Sequence, residues 1–124
     1  MLKTGIKRWV FGGDALAYED TLTRCQNSFD TVYEWLEPID ERIVVKGNHD
    51  LNPYGSPQLT DSDYYSMFFS KLMDEEVPYY YIDEEKTKTR YIILDTRETS
   101  ILDSYQNGTT EEKAYISAEV AWLY

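Results

Sequence analysis

Two short apolar runs, each ending in glycine and then in metal-capable polar residues, constrain this chain more than any other feature. Arg8-Trp9-Val10-Phe11 runs into Gly12-Gly13-Asp14, and Ile43-Val44-Val45 runs into Gly47-Asn48-His49-Asp50 one residue later. Between them, residues 18–36 carry apolar side chains at Leu22, Cys25, Phe29, Val32 and Leu36, a 3-4-3-4 spacing that predicts a helix closed by Pro38. Strand, helix and strand make a βαβ unit, and the right-handed crossover rule places its two strands parallel. Both carboxyl ends then open on one sheet edge, where open α/β sheets place their sites.

The remaining segments continue the alternation. Residues 51–57, with Asn52-Pro53 and Gly55-Ser56-Pro57, read as an irregular loop at the rim of that edge. Residues 61–73 read as a second helix with Thr60 or Asp61 as its cap, and Tyr64, Tyr65, Phe68, Phe69 and Leu72 as an apolar side that belongs to the core. Asp74-Glu75-Glu76 is a solvated helix end. Residues 77–82 and 90–94 are β-rich and joined by a charged turn, which predicts a hairpin extending the sheet. Residues 96–110 are expected as loop, and a final helix is expected from Ser117.

Composition bounds the class. A chain of 124 residues with 42% hydrophobic and 15% aromatic content fits one domain, residues 1–124, with a modest core. The net charge of −11 argues against a general attraction to nucleic acid or to an anionic membrane. Cys25 has no partner for an internal disulfide, and its place in a helix predicts a buried thiol and not a nucleophile. No apolar stretch reaches the length of a membrane span, and Met1-Leu2-Lys3-Thr4-Gly5 lacks a signal-peptide core, so a cytoplasmic protein is expected.

The chemistry follows from the residue types at the strand exits. Hydrolysis of a phosphoester needs neutralised phosphoryl oxygens and a nucleophile stronger than water, and two metal ions about 3.5–4 Å apart supply both. Asp14, after two glycines, has the character of a carboxylate that bridges two cations. Asn48 offers a neutral carbonyl oxygen, and His49, as the sole histidine, is better used as a proton donor or phosphate contact than as one of many ligands. Asp50 either orients that imidazole or satisfies backbone donors in the turn. Each residue also has a bland role: Asp14 as a helix cap, Gly47-Asn48 as an ordinary turn, His49 as a surface residue. The four-residue string Gly47-Asn48-His49-Asp50 arises by chance on the order of one time in a thousand in a chain of this length, which favours the joint reading.

At these positions the chain resembles the calcineurin-like metallophosphoesterase superfamily. Gly13-Asp14 resembles its Gly-Asp motif, Gly47-Asn48-His49-Asp50 its Gly-Asn-His-Asp/Glu motif, residues 91–96 its strand ending in Leu-Asp-Thr, and Ala121-Trp122-Leu123 its following helix. The resemblance implies a partial calcineurin-like α/β sandwich, with a mixed sheet and flanking helices, missing the first strand and the C-terminal His-bearing strands. It implies Asp14 and Asn48 as metal ligands, His49 and Asp50 as catalytic residues, Asp95 as a loop support, and a phosphoester substrate of unspecified type. The cofactor implied for the complete domain is two divalent metal ions, for which Mn, Fe, Zn and Ni are all suited.

Three departures accompany it. No Asp-x-His precedes Asp14, no Gly-His-x-His follows, and Ala17 stands where several branches carry an Asp or Asn. Ala17 separates the chain from the Ser/Thr protein phosphatases. Tyr18 lies one residue off the tyrosine ligand of the purple acid phosphatases, so a structural role is expected for it. The expectation is that the parent protein hydrolyses a phosphoester while this stretch alone is silent or weak. The alternatives are a degenerate, non-catalytic interaction module and a nuclease branch, the latter opposed by the charge and by Ala17.

Overall fold

The computed structural model describes residues 8–52, 54, 57–97 and 100–124, so the signal-peptide expectation at residues 1–5 and part of the expected loop at Asn52-Pro53 and Gly55-Ser56-Pro57 lie outside the described residues. The fold is mixed α/β, and the chain divides into two compact units, residues 1–76 and 77–124.

In the first unit, β1 (Arg8–Phe11) and β2 (Glu41–Val44) pair in parallel, from Arg8 opposite Glu41 to Phe11 opposite Val44. Val45 N donates to Phe11 O at 2.9 Å and carries the ladder to the strand exits. The connecting helix, α1 (Leu22–Leu36), starts at the first residue of the apolar spacing, four residues into the expected stretch 18–36, because the Thr21 side chain caps it by accepting from Arg24 N. Cys25, Phe29, Val32 and Leu36 are buried, as the spacing requires, while Leu22 in the first turn is 57% exposed.

A second helical stretch runs from α2 (Asp61–Tyr64) through a π-turn at Tyr65–Phe69 to α3 (Ser70–Leu72). Thr60 is its cap: its hydroxyl accepts from Asp63 N, and Asp63 Oδ2 accepts from Thr60 N. The wider π-turn carries Phe68 and Phe69 inward together and leaves Tyr65 37% exposed, so the expected apolar side holds except at Tyr65. Phe29 stacks on Phe68 at 4.9 Å, and Phe11 meets Phe68 edge-on at 6.1 Å, which ties strand, crossover helix and second helix into one core.

In the second unit, β3 (Tyr80–Glu84) and β4 (Thr89–Ile93) form the antiparallel hairpin, followed by α4 (Ile101–Asn107) and α5 (Thr110–Leu123). Among the described residues the strands form two separate two-stranded sheets, which corrects the expected single mixed sheet. Residues 89–92 of β4 are exposed, so the hairpin lacks the two-sided apolar run of a central sheet position. Two further corrections concern helices. The expected loop over residues 96–110 contains α4, capped by the Ser100 hydroxyl, and α5 starts seven residues ahead of Ser117 at a reciprocal Thr109–Glu112 cap. No helix among the described residues is long and apolar enough to cross a membrane.

Candidate functional site

The parallel pairing delivers the two loops side by side. After β1 the chain turns through Gly13 at φ 90° and Asp14 at φ 56°, both in the left-handed region. Gly13 lies so close to the second loop that a Cβ there would fall under 3.0 Å from Gly47 N and Cα, and a Cβ at Gly47 would strike the Asp14 backbone and carboxylate. Glycine at both positions is therefore a requirement of backbone meeting backbone. Asp14 is one of the few residue types that tolerates the left-handed conformation, and strain of this kind collects at functional sites.

Asp50 holds the loops together. After β2 the segment Asn48–Asp50 makes one 3₁₀ turn, which swings the Asp50 carboxylate back under both loops, where it is fully buried. Its Oδ1 accepts from Ala15 N at 2.7 Å and Leu16 N at 3.3 Å, and its Oδ2 from Gly47 N at 2.8 Å and Asp14 N at 3.1 Å. Of the two roles open to Asp50 in the sequence, the geometry is that of satisfying backbone donors. Burial pushes its carboxyl up to about 6, against the pull of the N–H groups of Gly47, Leu16 and Ala15, with the neighbouring Asp14 charge adding to the rise.

With the loops pinned, Asp14 and His49 meet. Asp14 is exposed, and its Oδ1 accepts from His49 N at 3.1 Å. Asn48 is exposed at the start of the same turn. The His49 ring is half-buried, with Nδ1 3.3 Å from Asn52 O and its centroid 4.2 Å from that of Tyr54. Tyr54 is anchored in turn: its N donates to Ala17 O at 2.8 Å, and its ring stacks on Tyr18 at 5.3 Å. Three of the sequence-expected residues, Asp14, Asn48 and His49, are thus neighbours on one edge, and Asp50 lies beneath them. Tyr18 is a stacking partner of Tyr54.

Two residues of the site, Tyr54 and Lys46, carry no signal in the sequence. Tyr54 sits alone among turn residues, where no periodicity marks it. Lys46 directly precedes Gly47, is buried, and pairs with Asp61 Oδ1 at 3.2 Å, which ties the second loop to the start of α2. A buried lysine is identifiable only once its acidic partner is placed.

Two other expected residues lie apart from this chemistry. Cys25 is buried, and burial together with the charge of Glu19 pushes its thiol up, as suits a core residue. Asp95, in the second unit, is buried; its Oδ1 accepts from Arg97 N, its Oδ2 from the Tyr115 hydroxyl, and its own N donates to Glu119 Oε1. That is the geometry of a loop support.

A two-metal centre needs more donors than these. Among the described residues no group of three or more His, Cys, Asp or Glu side chains is placed to hold a metal ion. Asp14 and Asn48 offer one carboxylate and one amide, which do not fit a dinuclear centre by themselves. Comparisons with protein-family models, with curated proteins and with solved structures give no match to this chain.

Proposed function

We propose that the paired loops are the phosphoester-facing wall of a metal-dependent, calcineurin-like phosphoesterase domain. In this reading Asp14 and Asn48 would contribute to the metal-ligand set, and His49 would assist the leaving oxygen. The observation that carries the proposal is the bond from the His49 backbone N to Asp14 Oδ1, which holds the carboxylate of the first strand exit against the backbone of the turn that bears Asn48 and His49. When bound, divalent ions supply phosphate neutralisation and an activated water. The chain's own residues do the rest: Asp50 and the two glycines fix the wall, Asp14 presents an anionic oxygen at its surface, and His49 is a proton donor of the kind phosphoester cleavage uses. Among the described residues no group of three or more His, Cys, Asp or Glu side chains gathers at this wall, and Asp14 with Asn48 is too small a ligand set for two metals.

Electron paramagnetic resonance of free Mn²⁺ tests the ligand assignment. Weak binding of Mn²⁺ is expected, lost in Asp14→Asn and retained in Tyr18→Phe, with aryl phosphate turnover at or near background. Equal Mn²⁺ binding by wild type and Asp14→Asn would sink the proposal. The saturation of Asp50 by four backbone donors favours a second reading, a non-catalytic module in which the Gly-Asn-His-Asp turn survives for its shape. That reading gains if neither protein binds Mn²⁺. A nuclease branch fits poorly with a net charge of −11.

A further inference from the structure

His49 is the only histidine in the chain, and its ring is held from two directions. Nδ1 lies 3.3 Å from Asn52 O, and a carbonyl oxygen only accepts, so in the neutral ring the proton belongs on Nδ1. Tyr54 lies against the ring at 4.2 Å between centroids, with the planes tilted by 46°. Tyr54 itself is 70% exposed and would be free to swing, yet its backbone is tied to Ala17 O and its ring to Tyr18. These contacts link residue 17, just past the first strand exit, to the imidazole at the second. Ala17 offers the ring no polar side chain, and its carbonyl accepts from Tyr54 N.

We propose that Tyr54 is a positioning residue for His49: with the Asn52 carbonyl it clamps the imidazole as the Nδ1–H tautomer, leaving Nε2 as the ring nitrogen that exchanges a proton with a bound ligand. A tautomer is set by the partner of the other nitrogen, and the orientation of a ring by what packs on it. The clamp supplies both without an acidic side chain. Its geometry stands on the contacts alone, while its use in catalysis rests on the phosphoester reading.

A single histidine makes the test direct. Long-range ¹H–¹⁵N spectra of the whole chain at about pH 9, above the ordinary imidazole range, are expected to show a pyrrole-like Nδ1 and a pyridine-like Nε2, with the ring protons displaced by the Tyr54 ring current. Tyr54→Phe retains both signatures. Tyr54→Leu and Tyr54→Ala lose the ring-current displacement and move the nitrogen shifts towards those of free imidazole, where Nε2–H predominates. The amide resonances of Ala15 and Leu16, which report the Asp50 contacts, stay in place and show that the fold is intact. A wild-type spectrum with the free-imidazole pattern overturns the proposal, as does a Tyr54→Leu spectrum identical to wild type. Titration with inorganic phosphate separates the two readings. Phosphate that moves the His49 resonances supports both, and phosphate that leaves a clamped His49 unmoved counts against the phosphoester reading while the clamp stands.

Discussion

Four backbone N–H groups converge on the two oxygens of Asp50, two on each, and an amide in its place has one oxygen for them. The amide nitrogen of Asp50→Asn would face two donors and leave both unsatisfied, at about 1–3 kcal/mol for each such group. Urea unfolding at pH 7 is expected to show a loss of roughly 2–6 kcal/mol for this variant. The pH dependence has a definite sign. The folded carboxyl titrates at about 6 against a usual 3.8, so between those values the native state keeps a proton that the unfolded chain has released. The contribution of Asp50 is fully present below pH 3.8 and falls as pH rises through 6, a difference of about 3 kcal/mol. At this scale the strand-exit pattern made Asp14, Asn48 and His49 legible as a group. Tyr54 was not legible, since its role comes from a loop that folds back and not from any spacing.

Arg42 links three elements. Its guanidinium donates to Leu72 O at the end of α3, to Leu36 O at the end of α1, and to Glu37 O and Ile39 O just past it. Helix C-termini leave their carbonyls without partners, and this one side chain satisfies those of two helices at once. Arg42→Ala should lower stability by about 1.5–3 kcal/mol, since bonds to a charged donor are lost. Arg42→Lys should recover little of it, because an ammonium cannot reproduce the planar fork; full recovery in thermal unfolding would refute the multidentate account. The helix α1 was legible from its 3-4-3-4 spacing, and the parallel strands from the crossover rule. By contrast α4 is seven residues long, and its one apolar side, Ile101, Leu102 and Tyr105, leaves Leu102 and Tyr105 exposed while Ser104 is buried, so the stripe is too short to mark it. The start of α5 was written in Thr109-x-x-Glu112, a cap signal ahead of the apolar residues by which that helix was placed.

For the whole molecule, charge and chain connectivity set what is measurable. A net charge of −11 on 124 residues opposes folding through self-repulsion that salt screens. The melting temperature is expected to rise between about 20 and 200 mM NaCl, where the Debye length shortens from roughly 20 to 7 Å. A fall would mean that the attractive pairs, such as Lys46 with Asp61, outweigh the repulsion. The mixed α/β class was legible from alternating patterns, whereas the division into two separate sheets depends on which edges pair, and no periodicity encodes that. Asp50 joins residues 34 to 36 positions apart, across the entire crossover helix. The amide protons of Ala15 and Leu16 belong to no helix or strand, yet exposing them to solvent means parting the two loops and with them the parallel pair. In hydrogen exchange they should survive as long as the most protected amides of α1, so that a segment that looks like surface loop reports the stability of the core beneath it.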